Sequence, residues 1–278
     1  MSAVVRPEHW QVQDSEAQLY ERHLVPAVTA PWAADLVERA GVRRGDRVLD
    51  VACGTGIVAR TAHERIGSEG RVTGLDINPA MLAVAQSRSA EVQFIRGSAL
   101  ALPFDDGAFD IVLSQFGLQF FPNRAAALGE MHRVLTDGGR LGASVYGPIE
   151  DNPGTLALAQ ALDHHLGTGA SQTKRAEHVL AYPSLVEKLA VDAGFADVTL
   201  TTETKLVRFS SASEWVNVQL TATPLASLLA ERLARPGMTE RITSSVVEAL
   251  QPYEVPGGIE FPVQAHILLA VRATAPRA

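Results

Sequence analysis

Val48-Leu49-Asp50-Val51-Ala52-Cys53-Gly54-Thr55-Gly56 is a short apolar run that follows the turn-like Arg43-Arg44-Gly45-Asp46 and ends in glycines. It reads as a buried parallel strand that opens directly into a tight loop. A second such strand ends at Asp76. Helical spacing covers 55–65 and 79–88, with Asn78 as N-cap and Pro79 at the first helical position. Residues 92–95, 109–114 and 141–146 continue the alternation. A helix at about 123–135 and the turn signals Asp105-Asp106-Gly107 and Asp137-Gly138-Gly139 separate them. Five strands with helical crossovers predict an α/β fold with a Rossmann-like, doubly wound parallel sheet.

After Tyr146 the pattern changes. Gly147-Pro148 and Asn152-Pro153-Gly154 break the chain, an Ala- and Leu-rich helix runs to about 167, and another covers 184–194. Residues 196–207 and 260–271 alternate in the manner of strands and add an antiparallel C-terminal pair, for seven strands in all. Between them lie two or three helical segments at 212–250, so the sheet carries helical cap insertions. Residues 273–278 are expected to fray.

The 278 residues are 46% hydrophobic and 20% charged, with 24 basic against 31 acidic side chains and a net charge of −7. Such a chain buries a sizeable core and offers no electrostatic footprint for a polyanion, so nucleic acid is excluded as a partner. Cys53 is the one cysteine, which excludes disulfide frameworks, cysteine-rich zinc sites and iron–sulfur clusters, radical enzymes included. No apolar h-region stands at the start and no run of about eighteen apolar residues occurs anywhere, so a cytoplasmic protein without membrane attachment is expected.

Asp50, Gly54, Gly56 and Asp76 fall at a strand end, a strand-to-helix turn and the next strand end. The glycines let the backbone turn sharply and let a ligand approach, while the following helix presents free N–H groups. Asp76 stands at the distance of a carboxylate that accepts ribose hydroxyls. Gly54-Thr55-Gly56-Ile57-Val58-Ala59 also satisfies the dinucleotide fingerprint, so an NAD(P)-dependent oxidoreductase is an alternative. Asp50 counts against it: a carboxylate there repels a pyrophosphate and attracts a ligand with an ammonium and a sulfonium. S-adenosylmethionine is such a ligand. No Tyr-x-x-x-Lys pair stands among Tyr20, Tyr146, Tyr182 and Tyr253.

With these residues the sequence resembles the class I S-adenosylmethionine-dependent methyltransferases (methyltransferase type 11), in particular the branch of quinone-biosynthesis and actinobacterial small-molecule enzymes of secondary metabolism. The resemblance is strong over about 17–146. It implies a cofactor site of Asp50, Ala52, Gly54, Thr55 and Gly56 in the first motif, and of Asp76 on the ribose with Ile77 and Met81 on the adenine. Gly97, Ser98, Ala99 and Leu100 would grip the adenine edge, with Ser98 where the family commonly has Asp. Ser114 and Gln115 would run beside the reactive methyl, and Tyr20, on an N-terminal helix that closes over the cofactor, would reach the methionine carboxylate or the methyl. The implied organisation is an N-terminal helical lid (1–40), the cofactor-binding core (41–147), a helical insertion (148–195) and the last strands (196–278) with a helical lid insertion (210–258).

Methyl transfer is an in-line displacement whose catalytic demand is alignment, with no metal required and a base only where the acceptor must lose a proton. Related enzymes often have His five residues after the position of Ser114; here Gln119 stands there and would orient an acceptor through its amide. His23 and Tyr20 are the other catalytic candidates, with His164 and His165 as further bases. Phe116, Phe120, Phe121, Tyr146 and Trp215 would form an apolar acceptor pocket. The expected protein is a monomer or homodimer that methylates a small, apolar or aromatic metabolite. A non-catalytic S-adenosylmethionine-binding accessory protein is a third possibility, because no base is evident.

Overall fold

The computed structural model of the protein describes residues 11–274; the expectations for residues 1–10 and 275–278 lie outside the described residues. The chain opens with α1 (Asp14–Leu19), a ten-residue π-helix (Tyr20–Thr29) and α2 (Ala30–Arg39). Pro26 lies inside the π-helix. Proline has no N–H to donate and clashes with the carbonyl four residues back in an α-helix, a conflict that the wider winding relieves.

The alternating core follows: β1 (Arg47–Val51), α3 (Ile57–Ile66), β2 (Arg71–Asp76), α4 (Pro79–Arg88), β3 (Gln93–Arg96), β4 (Phe109–Gln115), α5 (Arg124–Val134) and β5 (Leu135–Tyr146). Then come α6 (Pro153–Leu166), α7 (Gln172–Ala176), α8 (Pro183–Asp192), β6 (Phe195–Phe209), α9 (Ala212–Thr221), α10 (Leu225–Leu228), α11 (Ala230–Leu233), α12 (Met238–Leu250), β7 (Glu254–Val255) and β8 (Gly258–Arg272). The strands form one sheet in the order β3-β2-β1-β4-β5-β8-β6, with β7 a short addition to β8. β1 to β5 pair in parallel and β8 runs antiparallel to both β5 and β6. The doubly wound parallel sheet with its antiparallel pair is present, and β7 makes an eighth strand.

β1 is buried from Val48 to Val51, as its uninterrupted apolar reading requires. Helix α3 starts at Ile57 rather than at 55, because Gly56 takes a left-handed conformation (φ 85°) as its N-cap. Asn78 caps α4, its Oδ1 accepting from the N–H groups of Ala80 (2.8 Å) and Met81 (3.1 Å). Its amide donates to Val12 O (3.1 Å) and so ties the segment before α1 to the second strand–helix junction. The strand order reverses between β1 and β4, which lie side by side at the centre. A parallel sheet of this kind opens a crevice at the carboxyl ends of those two strands. The insertions after β5 and β6 pack on each other through α6, α9 and α12. No helix among the described residues is long and apolar enough to cross a membrane.

Candidate active site

The chain turns sharply at both central strand ends. Ala52 after β1 and Phe116 after β4 are non-glycine residues held at φ 60° and 52°, a conformation that persists only where the surroundings impose it. Phe116 N–H donates to Ser144 O (2.9 Å) and Cys53 N–H to Leu75 O (3.0 Å), which fixes the two turns against the neighbouring strands.

Asp76 is buried and accepts from Gly54 N–H through Oδ2 and from Asn78 N–H through Oδ1, both at 2.8 Å. Burial raises its pKa, against the opposing pull of these backbone donors. Asp50 accepts from Ala59 N–H (3.0 Å) through Oδ2, while its buried Oδ1 has no partner. Burial, with Asp76 nearby, pushes the Asp50 carboxyl up to about 7. The Cys53 thiol is buried, and burial raises its pKa well above the usual value, which keeps it in the thiol form. Arg60 donates to Thr55 O in the glycine loop and pairs with Glu21 of the π-helix (2.9 Å), coupling the N-terminal segment to the loop.

Asp50, Cys53, Gly54 and Asp76 line a cavity of about 360 Å³. Asp50, Ala52, Gly54, Thr55, Asp76, Ile77, Met81, Gly97, Ser98, Ala99, Leu100 and Gln115 border one end of it. Tyr20, Phe116, Phe120, Phe121, Tyr146 and Trp215 border it as well. Phe116 and Tyr146 stack with centroids 4.1 Å apart and planes 3° apart, and Trp32 meets Phe116 edge-on at 5.9 Å. Gln115 reaches across to the π-helix, its amide donating to Thr29 O (2.9 Å).

Some predicted site residues do not border the cavity. Gly56 turns away from it: a Cβ there would meet the Phe94 ring at 2.8 Å, so this glycine serves helix packing, whereas a Cβ on Gly54 would meet nothing within 4 Å. Ser114 is fully buried beneath the turn at Gly117, where an added Cβ would lie 2.9 Å from its hydroxyl. Gln119 sits on the short 3-10 turn Leu118–Phe120 with its side-chain amide buried and unpartnered behind the cavity wall, and its backbone carbonyl accepts from Arg124 (3.0 Å). His23 does not border the cavity; it adds, after the Ser210 hydroxyl, to holding the Glu214 carboxyl below its usual range. His165 meets the Ser245 hydroxyl (2.8 Å), and neither it nor His164 borders the cavity.

Sequence reasoning missed the polar residues that the insertions contribute. Lys174, Glu177, Asn152, Thr155, Gln219 and Thr223 all border the cavity. Lys174 is 4% exposed and donates to Glu177 Oε1 (2.6 Å) and Gln219 Oε1 (2.9 Å). The one available signal was a lysine followed three residues later by a glutamate, a spacing common on solvated helices.

A model of the ubiE/COQ5 methyltransferase family matches residues 27–150. A demethylmenaquinone methyltransferase of Staphylococcus epidermidis is 41% identical over 123 residues, 43% of this chain and 48% of its own length. The ubiquinone/menaquinone biosynthesis C-methyltransferase UbiE of Ectopseudomonas mendocina is 36% identical over 188 residues, 60% of this chain and 72% of its own length. The chain belongs to the ubiE/COQ5 methyltransferase family. It spans about half the length of the first relatives it matches. The fold is also that of a phosphoethanolamine N-methyltransferase of Haemonchus contortus solved with S-adenosyl-L-methionine (TM-score 0.60, 18% identity, 94% of this chain and 58% of that one).

The cofactor of this methyltransferase family is S-adenosylmethionine, and the residues fit it. A buried carboxylate oxygen of Asp50 awaits a partner, and Asp76 ends β2 with both oxygens already aimed by backbone donors. The loop at Gly54 is open to a ligand's approach. Apolar Ile77 and Met81 stand next to Asp76 on the same cavity wall.

Proposed function

We propose that this family member transfers the methyl group of S-adenosylmethionine to a small aromatic acceptor. The single observation that carries the reading is the continuity of the cavity. One space joins the buried carboxylates of β1 and β2 to a stacked aromatic wall. When bound, the cofactor supplies a methyl group on a sulfonium, activated enough to need no metal.

In this reading Asp76 accepts the ribose hydroxyls, and Ile77 and Met81 sandwich the adenine, whose edge meets Ser98 and the Ala99 N–H. Asp50 offers its unpartnered oxygen to the ammonium. Tyr20 and Gln115 border the path between cofactor and acceptor. Burial pushes the Tyr20 hydroxyl up to about 12 and raises that of Tyr146 well above its usual value, with Glu177 adding to both. Both phenols stay protonated at neutral pH, so they act as hydrogen-bond donors that orient ligands and not as bases. Phe116 and Tyr146 hold a flat acceptor, and Trp215 together with the insertions at 148–195 and 210–258 sets its size. The relatives are named for quinone methylation, which supports a quinol-like ring as acceptor. The family model's match ends at residue 150, before Lys174, Glu177 and Gln219 of the polar wall.

Calorimetry separates this reading from a dinucleotide-binding one. S-adenosylhomocysteine is expected to bind and NADH not to. Binding of NADH without binding of the thioether overturns the proposal.

A further inference from the structure

Three carboxylates border the cavity: Asp50, Asp76 and Glu177. The first two end strands β1 and β2 and belong to the donor end. Glu177 is the C-cap residue of α7, in the insertion after β5. Its Oε1 accepts from Lys174, and Oε2 takes no hydrogen bond among the described residues. Lys174 in turn donates to Gln219 of α9, so two of its three N–H groups are committed, one within its own insertion and one to the insertion after β6. Glu177 borders the same cavity as the stacked Phe116–Tyr146 wall. The adjacent His178 gives its Nδ1–H to Gly147 O (2.7 Å) and stays behind the wall.

We infer that Glu177 is the acceptor-side base: its free carboxylate oxygen receives a phenolic or quinol hydroxyl, and Lys174 is the positioning residue that aims it. The inference rests on the methyl-transfer reading above. As the acceptor's electron pair forms its bond to the methyl carbon, the methyl–sulfur bond breaks with its pair going to sulfur, and the hydroxyl proton passes to Glu177 Oε2. Where a ring carbon attacks, the hydroxyl oxygen becomes a carbonyl for the moment. Loss of that carbon's hydrogen as a proton, and return of a proton to the oxygen, restores the aromatic phenol. The third N–H of Lys174 then balances the negative charge that develops on the acceptor oxygen.

The test pairs binding with turnover, using 1-naphthol and naphthalene as probes on the S-adenosylhomocysteine complex. The wild type is expected to bind 1-naphthol about tenfold more tightly than naphthalene, the weight of one hydrogen bond to a charged group. The K174M/E177L protein, which removes both charges together and leaves neither buried alone, is expected to bind the two probes equally. With labelled S-adenosylmethionine and 1-naphthol, E177Q is expected to lower kcat about a hundredfold with KM within about threefold. K174M is expected to lower kcat less, and binding of S-adenosylhomocysteine to stay unchanged in every variant. A hydroxyl preference that survives in K174M/E177L, or an E177Q rate equal to wild type, overturns the assignment. So does a wild type without hydroxyl preference. The methyl-transfer reading fails on a different result, the absence of thioether binding by the wild type.

Discussion

The two ends of the cavity are built by different rules. The donor end is assembled from consecutive strand exits of the parallel sheet, between Asp50 and Gln115, and its two carboxylates are fixed by the backbone N–H groups of Gly54, Ala59 and Asn78. At the acceptor end Tyr20, Phe116, Tyr146, Lys174, Trp215 and Gln219 converge from elements far apart in sequence. The region matched by the family model, 27–150, contains the whole first set and, of the second, Phe116 and Tyr146. On the proposed reading, donor binding is built on the strand exits, and acceptor choice is shared between Phe116 and Tyr146 at the strand ends and the insertions that follow.

That division can be broken from either side. The largest effect is expected for Asp76→Ala, which removes a buried charged acceptor at the donor end. The dissociation constant of S-adenosylhomocysteine rises at least about a hundredfold by calorimetry, and an unchanged value contradicts the ribose assignment. Tyr146→Ala strips the stacked wall and is expected to raise the acceptor KM about tenfold. Cofactor affinity should stay within about twofold, and a loss of both together would mean that the two ends are not separable.

A pH titration probes the donor end without substitution. The raised Asp50 carboxyl, near 7 in the free protein, must be ionised to receive a cation. S-adenosylhomocysteine affinity is therefore expected to fall about tenfold from about pH 8 to pH 6, and Asp50→Asn to flatten the profile while weakening binding at the upper end. The sign for stability is the opposite. Between the usual carboxylate range and about 7 the folded state holds this proton more tightly than the unfolded chain does. Free-protein stability from this group therefore declines as pH rises through that window, and bound ligand restores it. The smallest effect is expected for His23→Ala: kcat/KM within about twofold, since His23 does not border the cavity.

The same division explains what could be read from the sequence. The parallel order of β1 to β5, the Asn78 cap and the open Gly54 follow from apolar runs, a capping residue and a turn, all short-range signals. Gly56 and Ser114 share the local pattern of site residues but face Phe94 and the Gly117 turn; a loop's spacing does not reveal which side chain faces inward. Gln119 was selected by its position in the family pattern, and the 3-10 turn rotates it behind the wall. Lys174 and Gln219 meet across forty-five residues, and no periodicity links a five-residue helix to a partner that far along the chain. The π-winding at Tyr20–Thr29 was legible only as a helix, because hydrophobic spacing does not distinguish an i→i+5 ladder over so few turns.

The central claim is that both ends serve one reaction. Incubation of the wild type with methyl-labelled S-adenosylmethionine and a panel of phenols and hydroquinones, followed by mass analysis, tests it most directly. A methylated aromatic product formed together with an equal amount of S-adenosylhomocysteine is the predicted result. Tight cofactor binding with no methylated product from any hydroxylated aromatic would contradict it.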